Sequence, residues 1–343
     1  MWVGIMGNQE KVYIVLLNWN GWRETIKCLE SIFRLNYPTF DIVLVDNNSS
    51  DDSVKNINSW VKGNFDLNVF SQDPLKTFFF PPVDKPVSYF CSEHLIDYKL
   101  DPRKHNLIMI RAGSNLGYAG GINVGLRKIL EIGDMKYVWI LNNDTVVKPD
   151  SLQKLVQRIQ MEGEMVGICG SSVYYYDSPS TVQTHGGIKY NKWLGITTFL
   201  NNKNKERAWI ENQMDAVYGA SMFVSNKFIK TVGLLSEEYF LYYEEIDWTI
   251  RGNKKGFKSC FAPQSVIFHY GGRSTKASER NPNNKSLSSD FYFLRNRILL
   301  TRKFYPFALP TIYFSLIISL LNRVRRGQFK QVIMILKIIF GKI

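Results

Sequence analysis

The stretch that decides the fold is residues 137–147, which read YVWILNNDTVV. Residues 137–141 are apolar, as is typical of a buried β-strand, and Asn142, Asn143 and Asp144 follow directly. In an open α/β sheet, ligands bind beyond the carboxyl ends of the strands. Carboxylate and amide oxygens suit a hard divalent cation whose shell a substrate phosphate completes. The triplet therefore fits a Mg²⁺ or Mn²⁺ site and, equally on this stretch alone, an Asx turn.

The preceding segments predict a mostly parallel α/β sheet. Residues 11–18 and 41–45 are nearly continuous apolar runs, as expected of parallel strands covered on both faces, and apolar residues at helical spacing separate them. The second run ends at Asp46 and more polar residues follow. We interpret Asp51 and Asp52 as candidate helix caps. Asp46 comes too early to cap the helix and is freer to contact a ligand.

An insertion interrupts the alternation of strands and helices. Residues 67–70 are predicted as a third short strand, and residues 71–105 then contain five prolines. A loop of this length is often a lid or a binding element. After a strand at 106–111, GSNLGYAGG at 113–121 leads into a helix, and glycines in this position let phosphate approach backbone N–H groups. The segment lacks the GxGxxG spacing of a dinucleotide fingerprint, so we interpret it as lining another nucleotide site.

A second cluster of polar residues lies in residues 239–251, YFLYYEEIDWTIR. On a helix that starts near Tyr243, Glu244, Asp247 and Arg251 share one face, and Asp247 is spaced to form an ion pair with Arg251. We therefore expect Glu244 and Asp247 to have a structural partner.

The neighbouring carboxylate is placed differently. Glu245 lies about 100° around the helix, on the side of Trp248, and has no obvious cation. Desolvation would raise the pKa of such a carboxylate towards neutrality, as a general base requires, whereas the helix N-terminus acts in the opposite direction. A solvated acidic first turn is the alternative. Further on, the strand at 265–269 ends in His269, which is either a hydrogen-bonded side chain or a metal ligand.

Composition limits the class of protein. At 343 residues and 45% hydrophobic content, the chain has room for one large domain, or for one domain with an appendage. The N-terminus has no basic segment before its short apolar run, so we expect no secretory signal. Four widely spaced cysteines without a CxxC pair indicate reduced thiols and neither a disulfide framework nor a zinc site: Cys28, Cys91, Cys169 and Cys260.

The C-terminal segment carries most of the excess charge. The net charge is +13, and ten basic residues but no acidic ones follow Asp290. Residues 304–321 are uncharged but contain Pro306 and Pro310, and they fall short of the roughly 20 apolar residues of a clean membrane span. Residues 329–343 are apolar with spaced lysines. We interpret the segment as an interfacial anchor on an anionic membrane. Nucleic acid is the less favoured partner, because it would not explain the Ile and Leu content.

Five segments in this order resemble the family 2 glycosyltransferases of the GT-A fold, over roughly residues 11–300. They are VDNNSSDDS at 45–53, NLGYAGGINVGL at 115–126, LNNDTVV at 141–147, YYEEIDWTIR at 242–251 and HYGG at 269–272. The resemblance implies an open, mostly parallel twisted sheet flanked by helices, with a small antiparallel addition. It also implies inverting transfer of a sugar from a nucleotide-diphosphate donor to an acceptor hydroxyl. Within the family, the sequence looks most like rhamnosyltransferase-type members that build bacterial or archaeal surface polysaccharides.

The resemblance assigns roles to individual residues. Asp144 would bind Mg²⁺ or Mn²⁺ with His269 as a second ligand, and Glu245 would be the catalytic carboxylate. The residues expected at the nucleotide sugar, with Asp46 at the base or ribose, are Asp46, Asn48, Asn115, Gly117, Gly121, Asn142 and Asn143. Those expected to contact the acceptor or support the site are Glu244, Asp247, Trp248 and Arg251. The sequence departs from the family pattern in having Asn142 at the first position of the DxD-type motif and Glu where the base is often Asp.

The resemblance also predicts the domain organisation. Residues 1–286 would form the glycosyltransferase domain, with a nucleotide-sugar half at 11–147 and an acceptor half at 148–286, and residues 287–343 a helical membrane-association region. We expect a cytoplasmic enzyme, peripheral on the inner face of the cell membrane, that acts on a lipid-linked or polysaccharide glycan. Its oligomeric state stays open. Two alternatives remain: a sugar nucleotidyltransferase, which would release pyrophosphate, and a non-catalytic membrane-bound binding protein.

Overall fold

The computed structural model describes residues 10–92, 105–201, 205–271 and 286–341. The N-terminal nine residues and residues 93–104 of the insertion lie outside the described residues. The first half alternates strands and helices, as predicted. Its elements are β1 Val12–Asn18, α1 Trp22–Ile32, β2 Phe40–Asp46, α2 Ser53–Val61, β3 Ser88–Ser92, β4 Asn106–Arg111, α3 Gly117–Ile132, β5 Tyr137–Asn142, β6 Thr145–Val147 and α4 Ser151–Glu162.

The second half is richer in antiparallel strands and ends in helices. Its elements are β7 Val166–Tyr175, β8 Ser178–His185, β9 Gly187–Asn191, β10 Ile196–Phe199, α5 Arg207–Gln213, β11 Ala216–Val217, β12 Ser221–Ser225, α6 Asn226–Val232, α7 Glu244–Lys254, β13 Lys258–His269, α8 Leu287–Phe304, α9 Leu309–Arg325 and α10 Phe329–Ile339. The four cysteines carry free thiols, as predicted.

The central sheet is mixed, and the five strands on one side of it are parallel. This arrangement confirms the predicted fold class. Its strand order is β3-β4-β2-β1-β5-β12-β7-β13-β6, and β8 pairs with β7. The pairs from β3 to β5 are parallel, whereas β12 is antiparallel to both of its neighbours. A second sheet with the order β10-β9-β11 is antiparallel and is the predicted small addition.

The register of the parallel strands brings the predicted polar residues to one edge. Asn18 at the end of β1 is paired with Asp46 at the end of β2, and Leu17 is paired with Asn142 at the end of β5. β6 then runs antiparallel to β13, so that Thr145 faces His269. The ends of four strands therefore surround one region at the carboxyl edge of the sheet, where ligands bind in open α/β folds.

The insertion differs from the prediction. Residues 67–70 are a 3₁₀ helix, not a strand, because the Asp66 side chain accepts a hydrogen bond from Asn68 N and caps a turn. The third strand, β3, lies inside the insertion and pairs with β4. The described part of the insertion packs on the domain: Lys85 lies 2.9 Å from the buried Glu30, and Phe79 is fully buried. This part covers the core rather than forming a lid.

The C-terminal helices pack in two layers. Leu300 of α8 lies in one hydrophobic cluster with Tyr239, Tyr243 and Ile246. On its other side, α8 packs against α9 and α10 through Leu294 and Ile298. The boundary expected at residue 286 would separate α8 from the rest of the domain. In the structure α8 shares one hydrophobic cluster with residues before that boundary and another with α9 and α10. Within the described residues, one helical segment, Pro306–Arg325, is long and apolar enough to cross a membrane.

Candidate active site

The predicted metal pair comes together at the edge of the sheet. Asp144 Oδ1 lies 3.2 Å from His269 Nε2, and both side chains are buried. Asn142 Nδ2 lies 3.3 Å from the same imidazole nitrogen. The Oδ1 atom of Asn142 is buried and has no hydrogen-bond partner among the described residues. The amide of Asn142 at the end of β5, the carboxylate of Asp144 just after it and the imidazole of His269 at the end of β13 therefore lie together.

The neighbours of His269 orient its ring. Gln183 Oε1 lies 3.1 Å from His269 Nδ1, and Tyr218 OH lies 3.4 Å from it. Because Gln183 Oε1 can only accept, it favours a hydrogen on Nδ1, and in the neutral ring Nε2 then directs its lone pair at Asp144. Second-sphere contacts of this kind orient histidine ligands in metal sites.

These donors fit a divalent cation. Two acceptors that face each other, Asp144 Oδ1 and His269 Nε2, and the unsatisfied oxygen of Asn142 are oxygen and nitrogen atoms of the type that bind Mn²⁺ or Mg²⁺. In the described parts of the chain, no group of three or more His, Cys, Asp or Glu side chains could hold a metal.

Asp46 is less free than predicted. Its carboxylate is 2% exposed and accepts hydrogen bonds from Asn18 Nδ2 at 2.9 Å and Ser49 Oγ at 2.6 Å, both to Oδ1, and from Ser49 N to Oδ2. Asp46 therefore organises the loop that follows β2. Asn48 in this loop is exposed with a φ of 62°, so it is the more accessible of the two.

Asn47, which the sequence analysis did not single out, joins the two candidate nucleotide loops. Its side chain is buried and donates to Asn115 Oδ1 at 3.0 Å and Gly117 O at 3.1 Å, and it accepts from Leu116 N at 3.0 Å. All three hydrogen-bonding positions face the loop before α3. In the sequence, only its place in the polar run after Asp46 marked this residue.

The two glycines assigned to the nucleotide have packing roles. A Cβ at Gly117, whose φ is 71°, would lie 2.4 Å from Phe240 O. A Cβ at Gly121 would lie 2.4 Å from Leu17 Cδ1. These glycines allow α3 to approach the sheet and the 239–243 turn closely. Similarly, Asn143 donates to Thr25 Oγ1 at 2.8 Å and so ties the loop between β5 and β6 to α1.

The predicted ion pair in α7 is confirmed. Arg251 Nε lies 2.5 Å from Asp247 Oδ1, and Arg251 also donates to the carbonyls of Val232 and Leu234. Asp247 is fully buried, and Lys303 Nζ of α8 lies 2.7 Å from its Oδ2 atom. Trp248 is buried, and its indole donates to Gly233 O at 2.8 Å. Asp247, Trp248 and Arg251 therefore hold α7 in place.

The expectation that Glu244 has a structural partner is wrong. Glu244 is 5% exposed, and among the described residues its Oε2 atom has no hydrogen-bond partner, a property that Glu245 shares. Burial, and secondarily the neighbouring Glu245, raise the pKa of Glu244 well above its usual range. Helical phase separated Glu244 from Glu245 but did not reveal that distant elements would bury the first turn of α7.

Glu245 has the properties of a general base. It is partly exposed, and burial raises its pKa to about 7 although the backbone N–H groups of Glu245, Ile246 and Tyr243 lower it. A Cβ on Gly219 would lie 3.9 Å from Glu245 Cδ, so a glycine leaves space beside the carboxylate. A base with a pKa near the working pH is effective in proton transfer.

Tyr118, a second residue not singled out, links the two polar clusters. Its hydroxyl donates to Gly219 O at 3.0 Å. Burial raises the pKa of Tyr118, and the charges of Glu244, Glu245 and Asp144 raise it further. The charges of Asp144 and of the two glutamates thus act on one hydroxyl.

Comparison with known proteins identifies this arrangement. A family model described as glycosyltransferase like family 2 matches residues 102–285, which is more than half of the chain. The chain belongs to glycosyltransferase family 2. A second model, glycosyl transferase family 2, matches residues 13–73 of the same family 2 chain. Together the two matches include the loop that follows β2, the loop between β5 and β6 that carries Asp144, helix α7, and His269.

Named relatives are similar over part of their length. The hexosyltransferase Agl10 of low-salt glycan biosynthesis from Haloferax volcanii is 23% identical over 62% of this chain and 61% of its own length. The chain thus spans less than two thirds of that relative. The N-acetylglucosaminyl-diphospho-decaprenol L-rhamnosyltransferase of Mycobacterium tuberculosis is 24% identical over 57% of this chain and 69% of its own.

A solved structure supports the fold. The mannosyltransferase PcManGT from Pyrobaculum calidifontis, in complex with GDP-Man and Mn²⁺, aligns with a TM-score of 0.52 at 12% identity, covering 98% of this family 2 chain and 88% of that one. At this identity the likeness concerns the fold alone, and it confirms the predicted GT-A architecture.

Proposed function

We propose that this family 2 glycosyltransferase moves a sugar from a nucleotide-diphosphate donor to an acceptor hydroxyl with inversion at the anomeric carbon. The observation that carries the proposal is the pairing of two unlike carboxylate environments around Tyr118. Asp144 faces His269 at the sheet edge, whereas Glu245 meets backbone N–H groups, keeps its Oε2 atom unpaired among the described residues and has a pKa of about 7. The first environment suits the diphosphate, and the second suits the removal of a proton.

The donor half of the site is formed by the strand ends. The loops after β2 and before α3, joined by Asn47, would hold the nucleoside, with Asn48 and Asn115 at its polar edges and Asp46 fixing the loop. Asn142, Asp144 and His269 would hold Mg²⁺ or Mn²⁺. A bound cation would neutralise negative charge on the departing diphosphate.

The acceptor half is formed around α7. Glu245 would take the proton of the acceptor hydroxyl while the new C–O bond forms and the bond from the anomeric carbon to the diphosphate oxygen breaks. The proton then resides on Glu245, and the electron pair leaves with the nucleoside diphosphate. General-base assistance of this kind contributes about 10² to 10⁴ in rate. The donor half would take its residues from 11–147 together with His269, and the acceptor half would take the rest of 148–286, completed by α8.

The names of two relatives support a choice of sugar and acceptor. One relative is named as a rhamnosyltransferase acting on a diphospho-decaprenol, and another as a hexosyltransferase of glycan biosynthesis. These names support a hexose or deoxyhexose donor such as a rhamnosyl nucleotide, and a lipid-linked glycan as the acceptor.

A lipid-linked acceptor agrees with the surface of the last two helices, which would lie on the cytoplasmic face of the membrane. α9 and α10 together expose the apolar side chains Phe314, Ile317, Ile318, Leu321, Val324, Phe329, Ile333, Leu336 and Phe340. On α10, Phe329, Ile333, Leu336 and Phe340 recur at helical spacing, and the exposed Lys330 and Lys337 flank them. An apolar face bordered by cations suits an anionic membrane surface.

The proposal is tested with the full-length protein in detergent. It is incubated with a panel of nucleotide sugars, with Mn²⁺ or with chelator, and the released nucleotide is analysed by chromatography. We expect metal-dependent release of a nucleoside diphosphate. Release of pyrophosphate would instead show a nucleotidyltransferase, and failure to consume any donor or transfer any sugar would favour a binding protein.

A further inference from the structure

The turn before α7 is held by one amide from a distant helix. Asn296 of α8 is fully buried, and its Nδ2 atom lies 2.6 Å from Tyr239 O, 2.8 Å from Leu241 O and 3.1 Å from Tyr242 O. An amide NH₂ group has two hydrogens, so these three carbonyls share them. A single side chain thus binds three of the five backbone carbonyls of residues 239–243.

This turn has a backbone conformation that needs such support. Phe240, Tyr242 and Tyr243 have φ angles of 61°, 70° and 75°, a region that bulky side chains rarely adopt. Non-glycine residues remain there only when the surroundings fix them. α8 supplies further contacts to the same turn. The ring of Tyr292 stacks on Phe240 at 4.5 Å between centroids, and Ser289 Oγ lies 2.7 Å from Tyr242 OH.

The turn in turn determines where Glu245 lies. Tyr243 is the N-cap residue of α7, and its backbone N–H is one of those that face the Glu245 carboxylate. Phe240 O accepts a hydrogen bond from Tyr118 N, so the turn also contacts the start of α3. A change in the conformation of residues 239–243 would therefore move the carboxylate relative to the donor half of the site.

We propose that Asn296 is a positioning residue for Glu245, and that it acts by holding residues 239–243 in the conformation that starts α7. The proposal rests on the proposed role of Glu245 as the base. It assigns α8 to the catalytic machinery, although the sequence placed this helix in a membrane-association region. Asn296 itself does not touch the reacting atoms.

The test is Asn296→Asp, which keeps the shape of the side chain but replaces its donor by an acceptor facing three carbonyls. We expect kcat to fall about 10- to 100-fold, because a displacement of about 1 Å costs that much. The donor Kd should stay within about twofold, since the donor loops are untouched. The pH at which activity is half-maximal should rise, because backbone N–H groups that lower the pKa of Glu245 move away while Glu244 and Tyr118 remain beside it.

The matched control is Thr301→Val in the same helix. Thr301 is also fully buried, but its hydroxyl donates to Arg297 O, at 2.7 Å, and not to the turn. This variant should lose stability without a change in the pH profile. Amide hydrogen exchange gives a readout independent of activity: Asn296→Asp should speed exchange in residues 239–247, and Thr301→Val should not.

The outcomes separate this inference from the proposed function. Wild-type kcat and pH profile in Asn296→Asp, or unchanged exchange in residues 239–247, would overturn the inference. If Glu245→Gln keeps full turnover, the proposed base is wrong, whatever the exchange data show. If Asn296→Asp does not fold, Tyr292→Ala is tested instead, since it removes the ring that stacks on Phe240. This variant must then raise the pH of half-maximal activity and speed amide exchange in residues 239–247, or the inference is wrong.

Discussion

The Nε2 atom of His269 lies 3.2 Å from the Oδ1 atom of Asp144, and Gln183 Oε1 faces the other ring nitrogen at 3.1 Å. In a neutral ring with its hydrogen on Nδ1, the lone pair of Nε2 would face this carboxylate and the Asn142 amide. Two acceptors at this distance repel each other unless a cation or a proton lies between them. In the proposed metal site, β13 would thus supply a second ligand, His269, to the single carboxylate of the NND triplet.

We predict that Asp144→Asn removes the metal dependence of donor binding. The substitution keeps the shape but removes the charge that the cation needs. Isothermal titration calorimetry of the nucleotide sugar, with Mn²⁺ and with chelator, measures the effect. Asp150→Asn, at the start of α4, is the control and should bind like the wild type. Equal donor affinity with and without Mn²⁺ in the wild type would contradict the prediction.

We predict that Glu245→Gln lowers kcat by about 10² to 10⁴ and leaves the donor Kd unchanged, because proton acceptance is lost and the shape is kept. Single-turnover kinetics and calorimetry measure the two quantities. Glu244→Gln is the matched control. Burial raises the pKa of Glu244 well above its usual range, so the neutral amide is the closest replacement, and kcat should change less than tenfold. If Glu244→Gln lowers kcat more than Glu245→Gln does, Glu244 and not Glu245 is the base.

The pH dependence follows from the raised pKa of Glu245. Its folded-state pKa of about 7 lies above the ordinary value of 4.5, so the folded protein binds a proton that the unfolded chain releases in this interval. Stability should therefore fall as the pH rises from about 4.5 to 7, whereas kcat should rise through about pH 7. Thermal melts and rate profiles measure the two trends. Glu245→Gln should make the fall in stability shallower without removing it, because the raised pKa of Glu244 contributes a fall of the same sign. A kcat that does not change between pH 6 and 8 would refute the assignment.

The sequence predicted those features that depend on local spacing. Continuous apolar runs predicted β1, β2 and β5, and the i,i+4 spacing predicted the contact between Asp247 and Arg251, 2.5 Å apart. Glycine and polar residues after the predicted strands indicated where the candidate site lies, because the carboxyl ends of parallel strands share one edge of the sheet.

Contacts between distant segments were beyond such reasoning. Helical phase gave Glu244 a partner, yet packing buries it and leaves its Oε2 atom unpaired among the described residues. Asn47 and Asn296 act on backbone groups 70 and 57 residues away, respectively, and nothing local distinguishes them from surface asparagines. β3 was missed since it pairs with β4 only at an edge of the sheet, inside a proline-rich segment.

We predict that Asn47→Ala weakens donor binding about tenfold or more with little change in kcat at saturating donor. The substitution breaks three hydrogen bonds that join the two loops, and buried groups left unpaired cost about 1 to 3 kcal/mol. Calorimetry and the separation of KM from kcat measure it. The exposed Asn64→Ala is the control. An increase in donor Kd no larger than that of the control would show that the loops bind independently of Asn47.

The last prediction concerns the surface of α9 and α10. Lys330→Glu with Lys337→Glu should weaken sedimentation with anionic vesicles about 10- to 100-fold at low salt, because each basic residue contributes about 1 kcal/mol. Phe329→Ser with Ile333→Ser and Phe340→Ser should weaken it at low and high salt, since apolar burial is not screened. Lys55→Glu, at an exposed residue far from these helices in sequence, is the charge control and should bind like the wild type.

Release from native membranes by high salt or alkaline carbonate would show interfacial attachment, whereas resistance to both would show that Pro306–Arg325 spans the bilayer. Absence of vesicle binding together with concentration-dependent dimers would assign the apolar face to a second copy of the chain.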